Sequence, residues 1–167
     1  MVMTDEEEIA AWVLERVPSG WFSGTPMVEM DQEEILVVGR IPEPDGGQPP
    51  GSQARLDAVR RFREATREAR VRIAQEVERR FRRRLSWGVE VGDERVLFTT
   101  LSVPVMTRLR LPERRVLDTL VEAGVARSRS DALAWCVRLV GRHQEGWIRE
   151  LREALVRVGE LRRRGPR

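Results

Sequence analysis

Lysine, asparagine and tyrosine are absent from this chain, so all 30 of its basic side chains are arginines. Exclusive use of arginine is expected of a GC-rich bacterial coding sequence, and it inflates any impression of nucleic-acid binding taken from composition alone. Cysteine occurs once, which excludes a disulfide framework within the chain. No apolar run is long enough for a signal peptide or a membrane span, so a cytoplasmic protein with no membrane partner is expected. Histidine also occurs once, and His143 lies seven residues from Cys136, a spacing that makes no metal site. Cys136 falls on an apolar stripe and is expected in a core, and His143 at a helix end. P-loop, GxGxxG, HExxH and paired CxxC motifs are missing as well, and acid pairs such as Glu33–Glu34 read as turn residues before they read as catalytic ones. An enzyme therefore has no positive support; neither a catalytic residue, a metal nor a cofactor is expected.

What is present is a fold-sized amount of apolar sequence and an uneven distribution of charge. With 167 residues and 41% hydrophobic content, the chain can bury the core of one ordinary domain or two small ones. Residues 1–50 hold 2 Arg against 11 acids, residues 51–100 hold 13 against 8, and residues 101–167 hold 15 against 8. An acidic front would be repelled by a polyanion that the basic rear would attract, so the two ends are expected to play separate roles.

Taken in order, Thr4 with Glu7 makes a capping box, and Ile9, Trp12, Val13 and Val17 continue at helical spacing up to Pro18. The turn-rich SGWFSGTP that follows carries Trp21 and Phe22, for which packing is expected and a ligand-stacking surface is the alternative. Met27–Met30 and Ile35–Ile41 read as a hairpin, and ILVV, apolar on both faces, marks a central strand. The proline- and glycine-rich residues 42–52 read as a loop or linker. From Gln53 to Leu85 an apolar residue recurs every three or four positions, which predicts one long helix of roughly 45–50 Å ending in RRFRRR, where the arginines offset the helix dipole before they grip phosphate. Trp87–Val91 and Val96–Thr100 around Gly92-Asp93-Glu94 predict a second hairpin. Trp147, Ile148, Leu151, Leu155, Val158 and Leu161 make a terminal amphipathic helix, with a frayed RRRGPR tail.

The most informative stretch is Val105–Asp131. Val105, Thr107, Leu109 and Leu111 alternate with Met106, Arg108 and Arg110, so a strand there would be apolar on one face and carry two guanidinium groups on the other. Pro112 ends that strand and suits the first turn of a helix. Val116, Leu117, Leu120 and Val121 give the helix an apolar face, and Gly124 stops it. Ser128 with Asp131 starts a second helix, whose stripe is Leu133, Cys136, Val137 and Val140.

Over residues 104–143 the order of an alternating strand closed by RLRLP, a helix ending in AG and a second helix opening on SRSDAL resembles the ribbon-helix-helix family of DNA-binding proteins (the Arc/MetJ/CopG type). The resemblance implies that two chains pair their strands into an antiparallel ribbon that enters the major groove of double-stranded DNA, while the start of the second helix holds a phosphate. It implies further that Met106, Arg108 and Arg110 face the bases and that Ser128, Arg129 and Ser130 clamp the backbone. About a hundred residues precede the strand, unlike the family's usual arrangement, and the ribbon would be blocked if Val96–Thr100 paired with Val105–Leu111 within one subunit. Pro104 limits the ladder on the N-terminal side. The absence of His and Cys from residues 1–100 argues against a metal-sensing version of the family.

The expected architecture is thus α+β: a small α-β-β-α-β-β domain over residues 1–100, a ribbon-helix-helix unit over 101–143, and a terminal helix with a basic tail over 144–167. The expected function is that of a transcriptional regulator acting as a homodimer or higher oligomer, with a further protein or ligand possible at the first domain. The alternative is a protein-interaction or scaffolding module, antitoxin-like partners included, that uses the same strand and helices only to dimerise.

Overall fold

The computed structural model of the chain describes residues 5–44, 49 and 51–165. They form a mixed α+β protein that divides into two compact units, Met1–Pro104 and Val105–Arg167.

The first unit is a four-stranded sheet covered on one face by helices. Its elements run α1 (Asp5–Leu14), β1 (Met27–Met30), β2 (Glu34–Arg40), α2 (Gln53–Ala65), α3 (Arg67–Phe81), β3 (Arg84–Val91) and β4 (Glu94–Leu97). The capping box expected at Thr4 lies outside the described residues. The sheet order follows the sequence, with β1 and β2 antiparallel, β2 and β3 parallel, and β3 and β4 antiparallel. Both hairpins predicted from the sequence are present, and ILVV lies in a central strand. Because side chains alternate across a strand, Ile35 and Val37 of β2 share one face with Leu85, Trp87, Val89 and Val91 of β3. That face packs on Ile9 and Val13 of α1, Val59 of α2 and Ile73 and Val77 of α3, and these residues make the core.

Trp21 and Phe22 do pack. Trp21 meets Phe22, Phe62 and Trp87 edge-on, at centroid distances of 5.8 to 6.3 Å. The Phe22 ring lies directly over Gly39 of β2, where a β-carbon would fall 2.2 Å from its Cγ. Glycine at that position is what lets the ring approach the strand.

The long helix expected over Gln53–Leu85 is two helices. At Thr66, between α2 and α3, the backbone stays right-handed (φ −98°, ψ −2°), and the carbonyl of Phe62 accepts both the Thr66 N–H at 3.0 Å and its hydroxyl at 2.7 Å. A threonine that bonds back to the carbonyl four residues earlier competes with the helix ladder and bends it. The second helix stops at Phe81 because Arg82 is left-handed (φ 57°), so RRFRRR spans a helix end, a reversal and the first residue of β3.

The loop before α2 is anchored by Arg55, which is 5% exposed. Its guanidinium donates to Glu43 through Nε at 2.9 Å and through Nη2, and to Asp93 at 2.8 Å; the Gly51 N–H donates to Glu94 at 2.9 Å. These contacts tie the described ends of the proline-rich loop to the β3–β4 turn, and charge-assisted bonds of this kind hold Asp93 below the ordinary carboxylate range.

The second unit is helical: α4 (Leu111–Glu122), α5 (Arg129–His143) and α6 (Glu145–Arg164). Its buried core is small, consisting of Leu117, Ala126 and Ala132 with Leu109, Leu120, Val121, Leu133 and Cys136 half-buried around them. Gly124, at φ 73°, supplies the left-handed stop after α4, and the Val125 and Ala126 N–H groups return to the Leu120 carbonyl. The break between α5 and α6 falls at Gln144 alone, and α6 extends through Arg164, so the arginines expected to fray are helical. No residue of α6 is buried; Trp147, Leu151, Leu155, Val158 and Leu161 are 40 to 66% exposed. No helix among the described residues is long and apolar enough to cross a membrane.

Candidate nucleic-acid interface

The segment expected as a strand, Val105–Leu111, is not one within this chain. Between β4 and α4 the residues form neither strand nor helix, and Leu111 is already the first residue of α4. A strand exists only through a neighbour that completes its hydrogen bonds, and the nearest candidate is committed elsewhere: Val96 pairs with Val89 and Leu97 with Gly88. Val96–Thr100 therefore does not pair with Val105–Leu111, and β4 ends at Leu97. Arg110 is extended (φ −82°, ψ 175°), as a residue entering a helix with Pro112 in its first turn should be.

The alternation expected of this segment is only partly realised. Met106, at 96% exposed, and Arg108 and Arg110 are open to solvent, and neither guanidinium has an ion pair or hydrogen bond among the described residues. On the opposite set only Leu109 is partly covered, against the Leu117–Ala126–Ala132 core; Val105 is 85% and Leu111 60% exposed. Among the described residues no core cluster includes those two. The Leu109 carbonyl accepts from Arg114 at 2.8 Å, which fastens the end of the segment to α4.

The second expected group gathers at the start of α5. Ser128 is extended (φ −157°, ψ 166°), and its hydroxyl accepts the Asp131 N–H at 3.2 Å. The Asp131 carboxylate in turn accepts the Arg127 N–H at 3.0 Å, which is the main reason it stays below the ordinary carboxylate range. Ser130 is exposed in the first turn, where N–H groups without helical partners favour an anion. Arg129 is placed differently from expectation. Its guanidinium bonds both oxygens of Asp118 on α4, Nε to Oδ1 at 2.6 Å and Nη2 to Oδ2 at 2.8 Å. The fork raises the affinity of Arg129 for its proton and lowers that of Asp118. A phosphate reaching this guanidinium would compete with a carboxylate already seated. Asp118 is the residue that reading the sequence missed, because no spacing rule links positions on either side of a helix–turn–helix.

His143 ends α5 and is exposed, and Cys136 is half-buried beside the small core. Among the described residues no three His, Cys, Asp or Glu side chains are grouped so as to hold a metal ion.

Comparison with known proteins divides the chain at the same place as its fold. Residues 7–97 match the family model described as Rv1265-like protein, N-terminal domain, and residues 110–162 match the Mb1296 C-terminal domain. Residues 98–109, which contain Met106 and Arg108, fall between the two. The uncharacterized proteins Mb1296 of Mycobacterium bovis and Rv1265 of Mycobacterium tuberculosis are each 52% identical over 162 residues, which is 97% of this chain and 72% of theirs. No solved structure matches the chain significantly. With matches over both units and half the residues identical across nearly its whole length, the chain belongs to the Rv1265-like family.

Proposed function

We propose that the protein is a DNA-binding regulator that acts as a dimer, the segment Val105–Arg110 of two copies pairing into an antiparallel ribbon in the major groove. The observation that carries this reading is a segment outside any helix or ladder, extended at Arg110, that bears two guanidinium groups unpaired among the described residues and leads straight into two helices joined at a left-handed glycine. The resemblance to ribbon-helix-helix proteins supports it, as does the excess of arginine over acid in residues 101–167. The exposed apolar residues of the unit also support it, since Val105, Leu111, Val116, Val137 and Val140 would be covered by a second copy. Arg108 and Arg110 would read guanine edges, each bidentate pair giving about 1–3 kcal/mol of discrimination, and the start of α5 would hold a phosphate through Ser128, Arg129 and Ser130.

One observation favours the competing reading, a protein-interaction or scaffolding module that uses this unit only to self-associate: the Arg129 guanidinium is occupied by Asp118. Binding of genomic DNA fragments across a salt titration separates the two. Replacing Arg108 and Arg110 together by Ala should leave folding and self-association intact and abolish preference for a specific site. Full site preference in that double variant, or no salt-dependent binding by the wild type, removes the DNA reading in favour of the scaffold.

A further inference from the structure

The first unit buries two arginines, and they are treated in opposite ways. Arg55 is met by the carboxylates of Glu43 and Asp93, with Glu94 at 4.0 Å. Arg70, 8% exposed, is met by none among the described residues. Its Nε donates to the Thr66 hydroxyl at 2.9 Å and its Nη2 to the Arg63 carbonyl at 2.7 Å, both uncharged acceptors. Its nearest charged neighbours are cations. Arg63 lies in α2 before the bend and Arg67 one turn ahead of Arg70 in α3, and the guanidinium carbons of Arg63 and Arg70 lie 5.7 and 4.7 Å from the centre of the Phe98 ring. Burial first, and then the repulsion of Arg63 and Arg67, push the Arg70 guanidinium below its ordinary pKa.

A buried cation without a counter-charge is unfavourable, and two further cations beside it make it more so. The cation–π contacts and two neutral hydrogen bonds offset part of this. Glu64 and Glu68 lie in the same two helices, yet neither forms an ion pair among the described residues. Meanwhile Arg70 Nη1 has no hydrogen bond among the described residues and is not fully sealed from solvent, and exposed Arg63 and Arg67 likewise have no acidic partner among them. We propose that Arg63, Arg67 and Arg70 form a binding site for a phosphate-class oxyanion at the α2–α3 bend. Planar guanidinium groups suit an oxyanion carrying several acceptor oxygens, and a doubly charged phosphate would offset three cations better than a single carboxylate. The site belongs to the first unit and does not depend on the DNA reading of the second.

The test is thermal unfolding of the full chain, titrated with inorganic phosphate and separately with pyrophosphate, against potassium chloride at matched ionic strength. The comparison is with a variant carrying Arg63→Gln and Arg67→Gln, both exposed and expected to fold. A ligand that binds only the native state raises the midpoint with the logarithm of its concentration above the dissociation constant, whereas the general salting effect of phosphate acts on both proteins alike. The expected result is a rise of that logarithmic form in the wild type, beyond the rise in the double variant. Equal responses in the two proteins, or no rise beyond chloride, overturn the proposal. A variant that loses DNA affinity while neither protein responds to phosphate also overturns it, because the cations then serve a nucleic-acid backbone instead.

Discussion

Arg129 has one guanidinium and two claims on it, and Asp118 decides between them. Replacing Asp118 by Asn removes the charge that seats both nitrogens, so the guanidinium is released at the start of α5. If the proposed phosphate contact is made there, Asp118→Asn should bind DNA more tightly than the wild type. Its salt dependence should steepen by about one unit for the added phosphate contact. A slope unchanged from wild type would show that Arg129 stays off the backbone. This pair also marks how far individual residues were legible. Ser128 and Asp131 could be read because a helix cap acts within four residues. Asp118 could not, since its partner is 11 positions away across a turn. Arg70 was hidden for the same kind of reason: in sequence it is one arginine among many, and only the fold leaves it without an acid among the described residues.

Among the elements, β2 is held to its surroundings by a contact that substitution should expose. Gly39→Ala would drive a methyl group into the Phe22 ring, which must then leave its place beside Trp21 and Phe62. Overpacking of that kind costs about 1–3 kcal/mol, so a lowered unfolding midpoint with Trp21 fluorescence displaced toward the exposed value is expected. An unchanged midpoint would mean that the ring is not needed there. Hairpins and capped helices were readable because their signals are local: Gly92, at φ 60°, turns the second hairpin, and Gly124 closes α4. The α2–α3 bend was not, because the apolar period runs through Thr66 without a break and the local sign is a side-chain hydroxyl sharing the Phe62 carbonyl with the backbone N–H. Residues 105–111 form no strand within the single chain for another reason. Alternation specifies what a strand would bury, but a ladder also needs a neighbour, which none of the described residues supplies.

Across the molecule the two units differ in how much they bury: among the described residues, thirteen in the core of the first and three in that of the second. A helical unit with so small a core and so many exposed apolar side chains should be stable only when paired, so sedimentation is expected to find dimers or larger species. A stable monomer at micromolar concentration would remove the dimer from the proposed function. Leu109→Ala, which truncates the side chain covering that core, should loosen the assembly and leave the first unit folded. The parallel pairing of β2 with β3 adds a consequence in time. Their partners, from Glu34 with Arg84 to Arg40 with Glu90, are about 50 positions apart, and the sheet cannot close until α2 and α3 have been made and folded between them. Contacts of such long range are slow to form, whereas α4 to α6 need mostly near neighbours. The part of the chain synthesised last should therefore gain its helices before the part synthesised first has completed its sheet. In rapid-mixing refolding, helical ellipticity should precede the fluorescence change of Trp87, and simultaneous phases would count against that order.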